Sequence, residues 1–404
     1  MISNLPTLPD GWEWKKLGDV VTEISSKLQA SQCQDLPYLS LENIESQTGK
    51  LLNVSSAKES NVIGTCSKFT KDTVIYSKLR PYLNKVAIPD FDGVGTTELI
   101  VFQPKNNLDK FFLANFLRSE SVVNKINASS YGAKMPRTSS KFLKELEIPL
   151  PSLNEQKRLV ALLDTLFAKI DRSLELLSEN ITAADLLLPS ALNTVFGELG
   201  EQWETKTINE IAFVKGGKRL AKGDQLLDTE TPYPYLRVTD FTNDGTISTK
   251  KMLYLSPDVH EKIKRYTISH EDLYITNVGN TIGKSGIIPK ELEGANLTEN
   301  AVKLVYKNKK NISNKFVYYF TKSATFIFQL ESATKQMAIP KLAIMRLSEI
   351  QIPLPPLDIQ TQSVAYLDSI REKVEILKHV QNDKIKNLKA LKASLLDRAF
   401  KGEL

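Results

Sequence analysis

The stretch "NVGNTIGKSG" (277–286) holds Gly279, Gly283, Lys284 and Ser285 in an order that comes within one residue of a phosphate-binding loop. Such a loop needs a glycine, four residues and then Gly-Lys-Ser or Gly-Lys-Thr, so that backbone N–H groups curl around the phosphates. Here only three residues separate the glycines. The continuation "SGIIP" reads as a strand, whereas a phosphate loop opens a helix whose N-terminus faces the anion. A nucleotide site is not expected. "FDGVG" (91–95) fits the F-x-G-x-G of adenine methyltransferases, but "LPPL" (354–357) lacks both flanking residues of the Asp/Asn-Pro-Pro-aromatic motif such enzymes need to hold a flipped base. Pro89-Asp90 has no Asp/Glu-x-Lys placed to complete a nuclease site. His270 has no evident serine or aspartate partner for general-base work. The histidines His260, His270 and His379 and the cysteines Cys33 and Cys66 share no metal-ligand spacing. We therefore expect no catalytic centre, metal or cofactor in this chain.

The elements that carry these stretches occur twice. "EIPLPSLNEQKRLVALLDTLFAKID" (147–171) returns as "QIPLPPLDIQTQSVAYLDSIREKVE" (351–375), and Ile148 meets Ile352 at an offset of 204. At that offset Leu153, Gln156, Val160, Ala161, Leu163, Asp164 and Lys169 meet identical residues. "TVFGEL" closes the first half at Leu199 and "RAFKGEL" closes the second at Leu404. "GWEWKKLGDVV" from Gly11 pairs with "QWETKTINEIA" from Gln202, and "PYLSLENI" from Pro37 with "PYLRVTDF" from Pro234. A period near 200 residues is too long for a solenoid and indicates a duplicated pair of domains.

Each half opens with short β-rich runs ("DTVIYSKL", "ELIVFQP", "NAVKLVY") broken by Gly, Asn, Asp and Pro turns, with helical stretches such as "LDKFFLANFLRS" between them. That pattern predicts an α/β or α+β globule. A long helix follows. Leu159, Leu163, Leu166, Ile170, Leu174, Leu177 and Ile181 recur at steps of three and four, as do Val364, Leu367, Val374, Leu377, Leu388, Leu391 and Leu395 less regularly. Ser152 with Glu155 predicts a capping box. About 36 residues of helix span roughly 50 Å, and such a stripe must be covered, either by its own domain or by the other helix in an antiparallel coiled coil. Duplication favours the helix pair, about a pseudo-twofold axis. The expected divisions are 1–151 (globule), 152–199 (helix), 200–355 (globule) and 356–404 (helix).

Hydrophobic residues make up 41% of the 404 residues and charged residues 25%, as in ordinary globular proteins. No run of about 18 apolar residues suggests a membrane span. The opening "MISNLPTLPDGWEW" lacks the basic and apolar regions of a leader. Two cysteines fit a reducing cytosol. A net charge of +6 permits a nucleic-acid partner without requiring one.

Setting Asp272 on Asp72 aligns "DLYITNVGNTIGKSGIIP" with "DTVIYSKLRPYLNKVAIP" at an offset of 200, so that Gly279 falls on Leu79 and Gly283 on Leu83. Both versions read as strand–turn–strand. The turns offer Lys78, Arg80, Tyr82, Asn84 and Lys85 in one half, and Asn277, Asn280, Thr281, Lys284 and Ser285 in the other. Arginine and lysine read guanine edges or phosphates, asparagine reads adenine, and tyrosine stacks, so these turns are candidate DNA contacts. "KGGKRLAKG" adds Lys215, Lys218, Arg219 and Lys222 around a glycine pair suited to phosphate approach. "GAKMPRTSSK" and "TKQMAIPK" occupy equivalent places before the helices and add Lys134, Arg137, Lys141, Lys335, Gln336 and Lys341. Tyr38 and Tyr235 read as core.

With its doubled "IPLP-x-L-(N/D)-x-Q" helix entry, its "AFKGEL" ending and its "GWEWKKLGDV" opening, the chain resembles the DNA-specificity subunits of type I restriction-modification systems. "SKLRPYLNKVAI" and "NTIGKSGII" resemble strand–turn–strand segments of that family, and the likeness covers nearly the whole chain in order. Ile359, where the first copy has Glu155, departs from the family's acidic-Gln pair and bears on how the second helix starts. The resemblance implies two target-recognition domains, each reading half of an asymmetric bipartite site on double-stranded DNA. It implies paired helices that set the spacing of the half-sites and dock methyltransferase subunits, two in number, with restriction/translocase subunits in the larger complex. Methyl transfer and ATP-driven translocation would belong to those partners. Some 50 Å of helix exceeds one DNA turn of about 34 Å, enough to reach successive major grooves.

Overall fold

The computed structural model describes residues 6–132, 134–334 and 344–404. The chain forms two compact units, Met1–Leu177 with Asn382–Leu404, and Ser178–Gln381. Each contains one globule, the first half of that globule's own long helix, and the closing segment of the helix from the other repeat.

In the first unit the strand Glu13–Lys16 pairs antiparallel with Glu147–Leu150, so "GWEWKKL" and "EIPL" fasten the ends of the globule together. A four-stranded sheet runs Val21–Glu23, Leu99–Pro104, Val74–Ser77, Val86–Ala87. A five-stranded sheet runs Lys27–Gln29, Thr65–Phe69, Gly93–Gly95, Pro37–Leu39, Ser55–Ser56, with Pro37–Leu39 parallel to Gly93–Gly95. The helix Lys110–Arg118 covers the first sheet through Phe112, Leu113 and Phe116, all buried. It starts where the Asp109 carboxylate accepts from the N–H groups of Phe111 and Phe112, capping donors that have no partner within the helix.

The second unit repeats the plan. Thr205–Thr207 pairs with Gln351–Pro353, and a four-stranded sheet runs Ala212–Gly216, Ala301–Tyr306, Leu273–Thr276, Ser285–Ile287. The other sheet has four strands instead of five: Leu253–Tyr254, Pro234–Leu236, Ala295–Leu297, Thr267–Ile268. The helix Asn314–Phe320 covers the core with Phe316, Val317 and Phe320. Tyr235 is buried in this unit and Tyr38 half-buried in the first, in keeping with their reading as core.

The long helices are Leu153–Asp185 and Leu357–Ala399. The first breaks at Leu186, and Leu187–Gln202 continues from there with Pro189 in its first turn, where the missing proline N–H costs no helical bond. Within each unit two helical segments run antiparallel. Lys392 bridges Asp171 at 2.6 Å in the first unit, and Lys378 bridges Asp185 at 2.8 Å in the second. These exposed bridges set register more than they stabilise. The apolar stripe is buried near the globules, at Leu159, Leu163, Ile170, Leu367 and Val374, but Leu377 and Leu391 face solvent.

Both helix entries are held by a buried glutamine. Gln156 Oε1 accepts from the Asp109 N–H at 2.8 Å, and its Nε2 donates to the carbonyls of Asn107 and Pro151, both at 2.9 Å. Gln360 does the same with the Ser313 N–H (2.9 Å) and the carbonyls of Asn311 (3.0 Å) and Pro355 (2.8 Å). The departure at Ile359 therefore leaves the second helix start intact: Glu155 pairs with Arg158 on the surface, and Ile359 packs against the core instead. Only half of the expected capping box forms. The Glu155 N–H donates to Ser152 Oγ at 3.4 Å, while the Glu155 carboxylate turns to Arg158.

Candidate nucleic-acid interface

Val74–Ser77 and Val86–Ala87 form a hairpin with Ile75 opposite Ala87. Leu273–Thr276 and Ser285–Ile287 form its counterpart, with Tyr274 opposite Gly286. The near-phosphate-loop thus lies between two antiparallel strands, with no helix N-terminus after it. The pairing also corrects the alignment made from sequence. Equivalent positions differ by 199, so Gly279 matches Arg80, Gly283 matches Asn84 and Lys284 matches Lys85. Arg80 and Asn84 have φ of 51° and 49°, and Gly279 and Gly283 have 82° and 86°. The turn demands left-handed backbone at these two places, which glycine adopts freely and asparagine tolerates. The glycines serve the turn's shape in the second copy, and the first copy meets the same demand with other residues.

Around the first hairpin the structure gathers several of the candidates. The Arg80 N–H donates to the Pro136 carbonyl at 2.7 Å, and the Thr138 N–H to the Lys78 carbonyl at 3.0 Å. Tyr131 and Arg137 bond each other's backbones, closing a small loop against the turn. Arg80, Tyr82 and Lys134 are exposed beside one another's segments, and Tyr131 (61% exposed) and Met135 join them. Sequence reading missed Tyr131 and Met135; an aromatic next to Gly132 in a polar loop was the available signal. Arg137 is held by Glu98 through a forked contact of 3.3 and 3.4 Å. Lys78 donates to the Thr97 carbonyl. Lys141 is exposed farther along, on the short helix Ser140–Lys144.

Five of the hairpin candidates turn toward the protein, two of them, Lys85 and Lys284, only partly buried. Asn84 is 5% exposed and donates to Gln47 Oε1 and the Arg118 carbonyl. Asn277 is also 5% exposed, and Ser285 is fully buried on Thr321 Oγ1 at 2.6 Å. Lys85 Nζ donates to the Leu41 carbonyl and Lys284 Nζ to the Phe241 carbonyl. The polarity of the bonded groups, Asn84 Nδ2, Ser285, Lys85 and Lys284, serves the fold, since a buried polar group needs an internal partner. By contrast, Asn84 Oδ1 and Asn277 Oδ1 are buried with no hydrogen-bond partner among the described residues.

In the second unit Asn280 and Thr281 stand exposed at the turn. The "KGGK" loop is tied beside it: the Gly217 N–H donates to the Ala301 carbonyl, the Lys218 N–H to Leu297, and the Asn277 N–H to Asn300. A Cβ on Gly217 would lie 2.1 Å from the Thr298 carbonyl oxygen. Its missing side chain thus admits this chain's own backbone, and the phosphate approach expected of the glycine pair does not apply to Gly217. Lys215, Lys218, Arg219 and Lys222 are all exposed, and Glu299 binds Arg219 at 2.6 Å. Lys335, Gln336 and Lys341 lie outside the described residues.

Beneath each hairpin a cation reaches the return strand, Arg118 from the last turn of its covering helix and Lys322 from the turn just after Asn314–Phe320. Arg118 Nη2 donates to the Val86 carbonyl at 2.6 Å, and Lys322 Nζ to the Ser285 carbonyl at 3.0 Å. Burial lowers the Arg118 guanidinium to about 10, against the favourable field of Asp164. Burial also lowers Lys322 to about 8, with the neighbouring cations Lys284 and Arg371 pushing the same way. An unfolded chain keeps this lysine protonated to about pH 10.5, so between those values the unfolded state binds more protons and stability rises with pH. The second unit is expected to gain up to roughly 3 kcal/mol between pH 7.5 and 10 from this group. Denaturation midpoints across that range check it. Lys322→Met should flatten the rise, and an undiminished rise in that variant would refute the assignment.

Among the described residues no group of three or more His, Cys, Asp and Glu is placed to hold a metal, and no helix is long and apolar enough to cross a membrane. Two repeated α/β units, each joined to a long helix, define a tandem recognition-domain architecture. The family model for the type I restriction modification DNA specificity domain matches residues 9–179 and 200–387, so the chain belongs to the type I restriction-modification specificity-subunit family. It is 23% identical to the MjaVIII specificity subunit of Methanocaldococcus jannaschii, over 96% of this chain and 92% of that one. It is 31% identical to the EcoDI specificity subunit of Escherichia coli over 50% of this chain and 45% of that relative, so this match spans just under half the relative's length. The fold matches a chain from a structure of type I R-M complex assembly (TM-score 0.82, 24% identity, covering 98% and 100% of the two chains). It also matches the HsdS subunit from Thermoanaerobacter tengcongensis (TM-score 0.67, 24% identity, full coverage of both).

Proposed function

We propose that this chain is the non-catalytic sequence reader of a type I complex, each unit recognising one half of an asymmetric bipartite site on double-stranded DNA. The observation that best supports this reading is the first unit's turn and loop, bonded backbone to backbone, which carry exposed Arg80, Tyr82, Tyr131 and Lys134 on adjoining segments. Cationic groups meet phosphates, arginine reads guanine edges, and an aromatic ring adds apolar contact. The second reader uses Asn280 and Thr281 with Lys215, Lys218, Arg219 and Lys222, and extends to Lys335, Gln336 and Lys341. Different side chains on equivalent scaffolds give the two halves different sequences. Regions 152–199 and 356–404 act as spacers between globules 1–151 and 200–355, and dock two methyltransferase subunits and, in the full complex, restriction/translocase subunits. Methyl transfer and translocation are then the partners' chemistry, carried out in the cytoplasm.

Mapping adenine methylation across the host genome, with the gene intact and deleted, tests this. Deletion is expected to abolish methylation at one bipartite motif. The reading fails if every motif stays methylated and the purified chain with its methyltransferase binds all DNA sequences alike.

A further inference from the structure

We infer that Lys85 and Lys284 are positioning residues for the two recognition hairpins, setting the base preference of their own unit without touching DNA. The inference rests on the DNA-reading proposal above and adds how the reading elements are aimed. The two lysines occupy the same hairpin position in the structural pairing, immediately before the return strand. Each sends its ammonium back to a backbone carbonyl, Leu41 at 2.6 Å and Phe241 at 2.5 Å, in the loop that follows the Pro37–Leu39 or Pro234–Leu236 strand. The next residue along, Val86 or Ser285, has its carbonyl held by Arg118 or Lys322. The return strand of each hairpin is therefore gripped by two cations, one on each of two successive residues.

The pattern separates what the two hairpins share from what they do not. At the tip, Arg80 and Tyr82 in one unit stand where Gly279 and Thr281 stand in the other. The lysine is identical, and its acceptor is a main-chain oxygen that no substitution in the loop removes. A hydrophobic side chain would fill the same space without the cost of desolvating an ammonium. A hydrogen-bonded strut adds direction, and reading base edges needs tip side chains held to within about half an ångström.

The test is selection from a random-sequence duplex DNA library by the complex of the chain with its methyltransferase, using wild type, Lys85→Met and Lys284→Met. Lys85→Met is expected to flatten the base preferences of one half-site by about tenfold or more while the other half-site stands, and Lys284→Met to do the converse. The slope of log affinity against log salt should not change in either. An equal loss across all sequences with a slope smaller by about 0.9 would mean a direct phosphate contact and overturn the inference, as would unchanged preferences. Should a methionine variant fail to fold, Lys85→Arg decides. A strut that keeps its donor but changes its length shifts the base ranking of that half-site, and an unaltered ranking sinks the inference. If wild type itself selects no sequence, the DNA-reading proposal fails instead.

Discussion

Phe400→Ala is expected to destabilise the first unit by about 3–5 kcal/mol, the usual cost of removing a buried phenyl ring from a packed core. Phe400 is 6% exposed and lies edge-on to Phe112 and Phe116, with ring centroids 4.9 and 5.6 Å away. Its neighbours Leu396 and Ala399 belong to the same core, and the Leu404 carbonyl accepts from Arg158. The closing "AFKGEL" is thus a plug in the globule that begins the chain. The second unit has the same plug, because Phe196 of "TVFGEL" packs on Phe316 and Phe320 at 5.2 and 5.4 Å. Hydrogen exchange reads the effect directly. Amides of the Lys110–Arg118 helix should lose protection in Phe400→Ala while those of Asn314–Phe320 keep theirs, and Phe196→Ala should reverse the pattern. Equal loss in both helices would sink this assignment of plugs to units.

Gln360→Glu changes only an amide nitrogen to oxygen, yet it should cost roughly 3–5 kcal/mol at neutral pH, the range for a buried charge left without a partner. The Gln360 side chain is wholly buried, and its nitrogen faces two carbonyl oxygens, of Asn311 and Pro355. A carboxylate would place a third acceptor there. Both burial and the facing carbonyls oppose ionisation, so the glutamate's folded-state value would rise above its unfolded one. The sign follows: the folded variant binds more protons, and its deficit should shrink as pH falls from 7.5 toward 4.5, where the protonated acid donates one of the two lost bonds. Denaturant midpoints of variant and wild type at both pH values measure this. A deficit that does not change with pH would point to lost packing in place of buried charge. Gln156→Glu should behave alike, since Gln156 makes the same three bonds at the first helix entry.

The second prediction also shows where pattern was enough. A duplicated "IPLP-x-L" followed by glutamine three residues on marked both helix entries, and the duplication itself announced two globules with two helices, because backbone-level features recur wherever the same fold is built twice. Chemistry that needs a fixed motif spacing could be judged from the chain alone for the same reason: the near-phosphate-loop ran into a strand, as local propensity said it would. The apolar stripes from Leu159 and Val364 similarly foretold helices with a covered face.

Facing and partnership were not legible. Nothing local in "SKLRPYLNKVAI" says that Arg80 points out while Asn84 and Lys85 turn in, since that depends on the helix Lys110–Arg118 and the loop at Leu41, respectively 26 or more residues after and 40 or so before them in the chain. The one-residue slip in the hairpin alignment has a related origin. Side chains at the turn diverge while left-handed backbone persists, and sequence comparison sees only the side chains. By itself, the sequence determined the duplicated plan, the helix entries and the family, because these rest on recurring local patterns. Only the tertiary structure decided which polar residues face solvent and which globule each closing phenylalanine completes, because those choices are made by contacts between segments far apart in the chain.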